Sequence, residues 1–125
     1  MMASIDNLLK ATAEPTRLRI LNLLRQRSVC VCDLQLVLGL PQPTVSRHLS
    51  TLRLVGLVLD RRQGNRILYS LAPATTPQLK ALRQLVKTCS VSEESLQKDL
   101  RALEAVIKEG RCTAPELTGN NKVAF

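Results

Sequence analysis

The sequence is poor in aromatic residues. Its 125 residues include no tryptophan, one tyrosine, one phenylalanine and only one histidine, His48. Aromatic rings are the platforms on which unpaired bases stack, so their scarcity argues against single-stranded nucleic acid as the main ligand. The sequence also lacks an apolar run of the roughly 18 residues that a membrane span needs, and its first residues lack the apolar core of a signal peptide. We therefore expect a cytoplasmic protein with no membrane partner.

The sequence lacks the side-chain sets that carry common enzyme chemistry. Paired carboxylates, a glycine-rich phosphate loop and a Ser/His/Asp set are all missing. A small thiol oxidoreductase would need a Cys-x-x-Cys pair at a helix start, whereas Cys30 and Cys32 are separated by one residue. The length predicts a single domain, since domains average about 150 residues. We predict that the chain is not an enzyme.

The positive charge is confined to two segments. Lysine and arginine number 18 against 10 acidic residues, a net charge of +8. Residues 10–27 and residues 41–71 each carry five basic side chains and one acidic one, and the rest of the chain is balanced. A charge run is usually only a solvated face, but confinement to two segments favours a binding face for a polyanion.

Apolar residues at helical spacing predict three helices before residue 40 and a fourth after it. Glu14 is followed by a proline, which fits a first helical turn because its missing N–H costs no hydrogen bond there. Residues 28–32 are rich in β-branched residues and predict an extended segment. A short helix from Leu34 to Leu38 follows, and Gly39 can end it. The fourth helix has an apolar stripe formed by Val45, Leu49, Leu52 and Val55.

The second half predicts a hairpin and then one or two helices. Residues 57–71 change to the period of strands, divided near Gly64 by a turn that needs positive φ. Thr76, again followed by a proline, predicts a helix start. Ser90 and Glu93 match a capping box, so either a new helix begins there or one long helix continues through.

Two helices joined by a tight turn and followed by a basic hairpin describe a winged helix-turn-helix, in a mainly α fold with a small β-hairpin. One-sided apolar stripes on the terminal helices favour a homodimer. The predicted parts are one domain over 1–110, a recognition helix at about 42–55, a wing at about 58–71, dimerisation helices at about 5–13 and 77–109, and a mobile tail over 111–125.

The start of the recognition helix and the wing carry the predicted contacts to double-stranded DNA. Short polar side chains and cations cluster where a helix N-terminus would enter the major groove, and arginines on a wing would lie along the backbone or in the minor groove. The alternative is a solvated polar face beside a charged edge strand. The predicted DNA contacts are Gln42, Thr44, Ser46, Arg47, His48, Arg53, Arg61, Arg62 and Arg66.

Residues 14–71 resemble the ArsR/SmtB family of metalloregulatory repressors. The segments that carry the resemblance are EPTRLRIL, VSRHLSTLRLVGLV and DRRQGNRILYSL. The resemblance implies a homodimeric repressor that binds an operator near its own promoter and releases it when an inducer binds.

The segment from Val29 to Leu34 is similar to the arsenic and antimony site of the arsenical repressors in that family. Thiolates are soft ligands, and trivalent arsenic or antimony is a thiophilic centre that takes three sulfurs in a pyramid. In an extended segment Cys30 and Cys32 point to the same face and can bind one ion, whereas in a helix they would lie about 200° apart. A helix beginning at Asp33 would place Cys32 near its positive end, which favours the thiolate.

Two cysteines are candidates for the third sulfur ligand. The family prototype has a further cysteine three residues after the second, where this chain has Gln35. Cys89 or Cys112 could complete the site within a subunit or across the dimer, although Cys89 also fits an apolar helix stripe as a small buried hydrophobe. His48 is the only histidine and precedes the last helices, so these helices lack the histidines with which other members of the family bind zinc. Cadmium or lead on thiolates, or oxidation of the thiols, remain the alternatives.

Overall fold

The computed structural model describes residues 4–110, which fold into a mainly helical domain with a small antiparallel sheet. The predicted fold class is confirmed, and the tail predicted over 111–125 lies outside the described residues. Within residues 4–110, none of the helices has the length and apolar character that crossing a bilayer would require. The elements are α1 Ile5–Thr12, α2 Pro15–Leu23, β1 Val29–Cys30, α3 Val31–Leu38, α4 Gln42–Leu54, β2 Val58–Gln63, β3 Arg66–Leu71, α5 Pro77–Ser92 and α6 Glu94–Glu109.

The helix boundaries follow local chemistry. The Glu14 side chain caps α2 by accepting from the main-chain N–H of Arg17 at 2.8 Å. Thr76 caps α5 in the same way, accepting from Leu79 N at 3.2 Å. Gly39 ends α3 with a φ of +68°, a left-handed conformation that only glycine adopts without strain. The helix starts at Pro15 and Pro77 and the helix end at Gly39 were predicted from the sequence and are confirmed, whereas the cap by the Glu14 side chain was not predicted.

The wing is a two-stranded hairpin that gains a third strand. β2 and β3 pair antiparallel from Val58 opposite Leu71 to Gln63 opposite Arg66, and Gly64 begins the turn with a φ of +64°. β1 adds to the other edge of β3, so that Cys30 lies opposite Leu68. The sequence predicted the hairpin but not this pairing, which fixes the main chain at Cys30 to the base of the wing.

The core lies beneath α4. Val45, Leu49 and Leu52 on its inner face are fully buried. They belong to an apolar cluster to which the other elements contribute Leu8, Ile20, Leu23, Leu24, Val29, Leu34, Val58, Leu71, Val86, Leu103 and Ile107. The core therefore holds the predicted recognition helix on one face and leaves its other face to solvent.

The predicted capping box at Ser90 and Glu93 is wrong. Ser90 lies inside α5, fully buried, and its hydroxyl accepts from Arg25 Nη2 at 3.1 Å. The chain breaks at Glu93, which is extended with φ −107° and ψ 119°, and α6 begins at Glu94. Since Ser90 lies within α5, it is not the extended N-cap residue that a capping box requires.

Helix α6 packs against α2, α3 and α5 and is held by polar contacts. Arg19 binds Asp99 through two hydrogen bonds of 2.7 and 3.0 Å. Asn22, fully buried on α2, donates to the main-chain oxygen of Leu96 at 3.0 Å. These contacts fix the orientation of α6 after the break at Glu93.

We expect Asp99→Ala to lower the free energy of unfolding by about 1–2 kcal/mol. A bidentate pair to a nearly buried carboxylate is worth more than an exposed pair, but 34% of the Arg19 side chain is exposed, so solvent screens part of it. Urea denaturation of this variant beside Glu104→Ala, an exposed acidic position on the same helix, checks the difference. Equal midpoints for the two variants would show that the pair contributes no stability.

Candidate DNA interface and thiol pair

The N-terminal half of α4 presents a polar surface. Gln42 and Arg47 are exposed, while Thr44 and Ser46 are half-buried. Gln42 Nε2 donates to Ser46 Oγ at 2.9 Å, one turn further along the helix. The solvent-facing side of this helix start therefore offers amide, hydroxyl and guanidinium groups, which are the groups that bind base edges and phosphates.

His48 differs from the other predicted DNA contacts on α4. Only 17% of its side chain is exposed, and its Nδ1 lies 3.2 Å from Arg17 Nη1 and 3.9 Å from Glu14 Oε2. The ring is thus held against the start of α2. Sequence reasoning missed Arg17 as its partner, because the two residues are 31 positions apart and no local pattern joins them.

The arginines predicted to contact DNA on and near the wing differ in exposure and in their protein partners. Arg61 and Arg62 on β2 are exposed, and Arg61 Nη2 donates to Gln63 Oε1 at 3.4 Å. Arg53, at the end of α4, instead pairs with Asp60 at 3.2 Å. Arg66 is half-buried, and its Nη1 is covered by protein and has no hydrogen-bond partner in the described part of the chain. The exposed positive charge of the wing is therefore concentrated on β2.

The first basic segment, predicted to be part of a polyanion-binding face, has most of its cations in contact with other protein groups. Arg17 binds His48 and the end of α1, and Arg19 binds Asp99, a contact that raises the pKa of Arg19. Arg25 is buried against Asn22 and Ser90, and this burial lowers its pKa. Three of the five cations between residues 10 and 27 thus join helices to one another. Composition alone could not separate such charges from those of a phosphate-binding surface.

The thiols of Cys30 and Cys32 are adjacent, with their sulfurs 2.6 Å apart. The prediction that both lie in an extended segment is wrong, because α3 begins at Val31 and not at the predicted Leu34. Cys30 is the N-cap residue, with an extended main chain (φ −78°, ψ 152°), and Cys32 is the second helical residue. An extended N-cap residue directs its side chain back over the first turn, which brings the two sulfurs together.

The two cysteines of this thiol pair differ in their exposure to solvent. Cys30 is buried, with 2% of its surface exposed, and Cys32 is half-buried. Asp33, the next residue, is fully buried. Both thiols lie at the positive end of α3, where the helix dipole and the free N–H groups favour negative charge. This arrangement suits a soft cation that binds thiolates.

Within one subunit, Cys89 does not complete a three-ligand site. Among residues 4–110, no group of three His, Cys, Asp or Glu side chains is placed to hold a metal ion. Cys89 is half-buried on α5 and lines an apolar groove rather than being fully buried. Cys112 lies outside the described residues, so its role, and that of Cys89 across a dimer, remain predictions.

The groove at Cys89 has a volume of about 490 Å³ and runs between α1, α2, α5 and α6. Its apolar lining includes Leu9, Leu18, Leu82, Leu85 and Val86. Leu9 and Leu85 are 51% and 56% exposed. The helices predicted to form a dimer therefore share one uncovered apolar surface.

Comparison with known proteins identifies the family of this chain. Residues 14–59 match the model of the bacterial regulatory protein, arsR family. The arsenical resistance operon repressor of Escherichia coli K12 is 49% identical over 67 residues, which are 53% of this chain and 57% of the repressor. The structure of HlyU from Vibrio cholerae N16961 is 34% identical with a TM-score of 0.60, over 67% of this chain and 88% of HlyU. The chain belongs to the ArsR family.

ArsR-family proteins are DNA-binding transcriptional regulators and not enzymes, which confirms the prediction that the chain is not an enzyme. The resemblance and the winged helix-turn-helix fold are confirmed as well. A homodimeric winged helix-turn-helix DNA-binding domain from Mycobacterium bovis is 31% identical with a TM-score of 0.58, over 70% of this chain and 76% of that domain. The chain spans little more than half the length of the Escherichia coli ArsR-family relative.

Proposed function

We propose that the chain is a transcriptional repressor that binds double-stranded operator DNA as a homodimer and releases it when trivalent arsenic or antimony binds to Cys30 and Cys32. The observation that carries this proposal is the thiol pair at the start of α3, with sulfurs 2.6 Å apart, directly before the helix-turn-helix. The name of the Escherichia coli relative, an arsenical resistance operon repressor, supports the choice of inducer.

DNA binding rests on two surfaces. The start of α4 reads base edges through Gln42, Thr44, Ser46 and Arg47, and the wing contacts phosphates through Arg61 and Arg62. Both surfaces are supported by the exposure of Gln42, Arg47, Arg61 and Arg62, by the partial exposure of Thr44 and Ser46, and by the burial of the opposite face of α4. Homodimer formation would cover the apolar groove at Cys89 and the exposed leucines beside it. The homodimeric state of the Mycobacterium bovis domain supports this partner.

The inducer chemistry follows from the geometry of the two thiols. With metal–sulfur bonds of about 2.3 Å, as for zinc, two thiolates on one ion lie about 3.3–3.8 Å apart. The two sulfurs already lie side by side at the start of α3, so one ion can bind both thiolates, and recruiting a third sulfur from elsewhere would pull on this first turn. Cys112, or Cys89 of the second copy, supplies the third sulfur.

Release follows because the thiol pair and the DNA surface share one short segment. α3 carries Cys32, and only residues 39–41 separate its end from α4. Drawing both sulfurs onto an ion would tilt or fray the start of α3 and displace α4 in each subunit. A dimer must place two recognition helices one DNA turn apart. A small displacement in each subunit therefore weakens the contacts with DNA at both half-sites. A tenfold loss needs only about 1.4 kcal/mol of coupling.

Fluorescence anisotropy of a labelled duplex taken from the DNA that precedes the chain's own gene tests this function. The reduced protein is titrated onto the duplex and then with arsenite, antimonite, zinc, cadmium and peroxide in parallel. We expect binding to this duplex in preference to one of shuffled sequence, and release by micromolar arsenite or antimonite but not by zinc. A protein that does not bind the duplex, or that arsenite and antimonite leave bound, contradicts the proposal.

A thiol-redox response of the same repressor is the second candidate, favoured by the closeness of the two sulfurs. Two thiols in contact can lose two electrons and two protons to peroxide and form a disulfide. Release by peroxide that a reductant reverses would identify this response. Release by arsenite that a competing dithiol chelator reverses would identify the metalloid response.

We expect the double variant Arg61→Ala/Arg62→Ala to bind the same DNA with a weaker salt dependence. Each phosphate contact contributes about 0.9 to the slope of log K against log salt concentration, and the dimer loses four such contacts, so the slope should become less steep by about 3.6. Anisotropy titrations at several potassium chloride concentrations measure the slope. Lys98→Ala, an exposed position on α6, is the control and should leave it unchanged. An unchanged slope in the double variant would show that β2 does not contact phosphates.

A further inference from the structure

Arg17 joins three helices through its guanidinium group. Nε donates to the main-chain oxygen of Ala11 at 2.5 Å, and Nη2 approaches the oxygen of Lys10 at 3.4 Å. Both oxygens belong to the last turn of α1, where helix carbonyls lack partners within the helix. The third nitrogen, Nη1, faces His48 on α4 at 3.2 Å. The guanidinium is therefore occupied by protein groups rather than exposed as a free cation.

This contact determines which nitrogen of the His48 ring carries the proton. A guanidinium has donors only, so Nδ1 must accept the hydrogen bond, and the neutral ring then carries its proton on Nε2. The nearest carboxylate oxygen, Glu14 Oε2, lies 3.9 Å from Nδ1 and already accepts from Arg17 N. The ring is thus held in one orientation and one tautomer.

We propose that His48 is a positioning residue, which sets the orientation of the recognition helix by accepting a hydrogen bond from Arg17 at Nδ1, and that it does not read DNA itself. The inference rests on the proposed DNA-binding function. Val45 and Leu49 hold α4 on the core through apolar contacts, which are not directional. The Arg17–His48 hydrogen bond is directional and lies beside Arg47, on the half of α4 that presents the polar surface.

Two conservative substitutions separate positioning from direct contact. The side-chain oxygen of asparagine occupies the place of Nδ1, and the amide nitrogen of glutamine that of Nε2. We expect His48→Asn to keep DNA affinity within about threefold of the wild type, and His48→Gln to lose about tenfold, since the latter removes one hydrogen bond to a charged group. Affinity for the labelled duplex is measured by anisotropy, with thermal melting to establish that both variants are folded.

The reverse order, with glutamine retaining affinity and asparagine losing it, would assign a DNA contact to Nε2 and overturn the proposal. Equal affinities of both variants and the wild type would overturn it as well. If the wild type itself does not bind the duplex, the proposed function fails, which is a different result from a changed order among the variants.

Nuclear magnetic resonance of the DNA-free protein gives a test that does not depend on binding. His48 is the only histidine in the chain, so its ring signals need no assignment. Long-range proton–nitrogen spectra of the neutral ring should show an unprotonated Nδ1 and a protonated Nε2, and Arg17→Gln should change that pattern. A ring protonated on Nδ1, or one that does not respond to Arg17→Gln, would contradict the inference.

Discussion

A Cys30→Ser variant is expected to bind the same DNA as the wild type and to stay bound when arsenite or antimonite is added. Serine has nearly the same size as cysteine, so the N-cap of α3 and the pairing of β1 are retained. The hydroxyl is a hard ligand with little affinity for a thiophilic ion. Allosteric ligands typically change the affinity for a second ligand about 5–150-fold. In this variant, arsenite or antimonite should leave the affinity for DNA unchanged.

Matched variants make this result specific. Cys32→Ser should behave like Cys30→Ser, because each variant leaves one sulfur of the pair. Cys89→Ser and Cys112→Ser, assayed beside them, identify the third ligand, since the one that also abolishes release supplies it. A Cys30→Ser protein that still releases DNA at the wild-type arsenite concentration would remove the thiol pair from the mechanism.

Leu49→Ala is expected to lower the free energy of unfolding by about 2–5 kcal/mol. The Leu49 side chain is fully buried beneath the recognition helix, so truncation loses apolar burial and leaves a cavity that neighbouring side chains fill only in part. For a small domain this is a large share of the total stability. Denaturant unfolding monitored by circular dichroism measures the change.

Leu54→Ala is the control, since Leu54 lies on the same helix and is 85% exposed. The same chemical change there should alter stability by less than about 0.5 kcal/mol. If both variants unfold at the same denaturant concentration, the core does not hold α4 in the way described.

Local features of the sequence predicted most of the fold. The helix starts at the prolines after Glu14 and Thr76, the helix end at Gly39 and the turn at Gly64 depend on a few neighbouring residues, so reading along the chain finds them. The alternation of apolar residues likewise predicted the hairpin. The order of these elements, two helices joined by a tight turn and then a hairpin, predicted the winged helix-turn-helix, and the family resemblance agreed with it.

Contacts between distant residues were beyond such reading. Arg19 and Asp99 are 80 positions apart, and their pairing uses one cation of the first basic segment to join two helices. Arg25 and Ser90 likewise replaced a predicted helix cap. In each case a polar side chain found its partner through packing, which a single sequence does not encode as a pattern.

At the candidate site, sequence reasoning found the two cysteines but not their conformation. The β-branched residues of this short segment suggested a strand, whereas the close approach of the sulfurs comes from an extended residue that caps a helix. The first turn of α3 includes Val31 and Cys32, which are poor helix formers, and the helix begins there because tertiary packing outweighs this weak preference.

Cys30 belongs to two elements at once, as the last residue of β1 and the N-cap of α3. Its main chain lies opposite Leu68 on the central strand of the sheet, and β2, with its exposed arginines, is the strand on the other side of Leu68. In the proposed mechanism, a movement of this one residue would reach α4 through α3 and the arginines of β2 through the sheet. Both predicted DNA surfaces would then respond to a change at a single peptide.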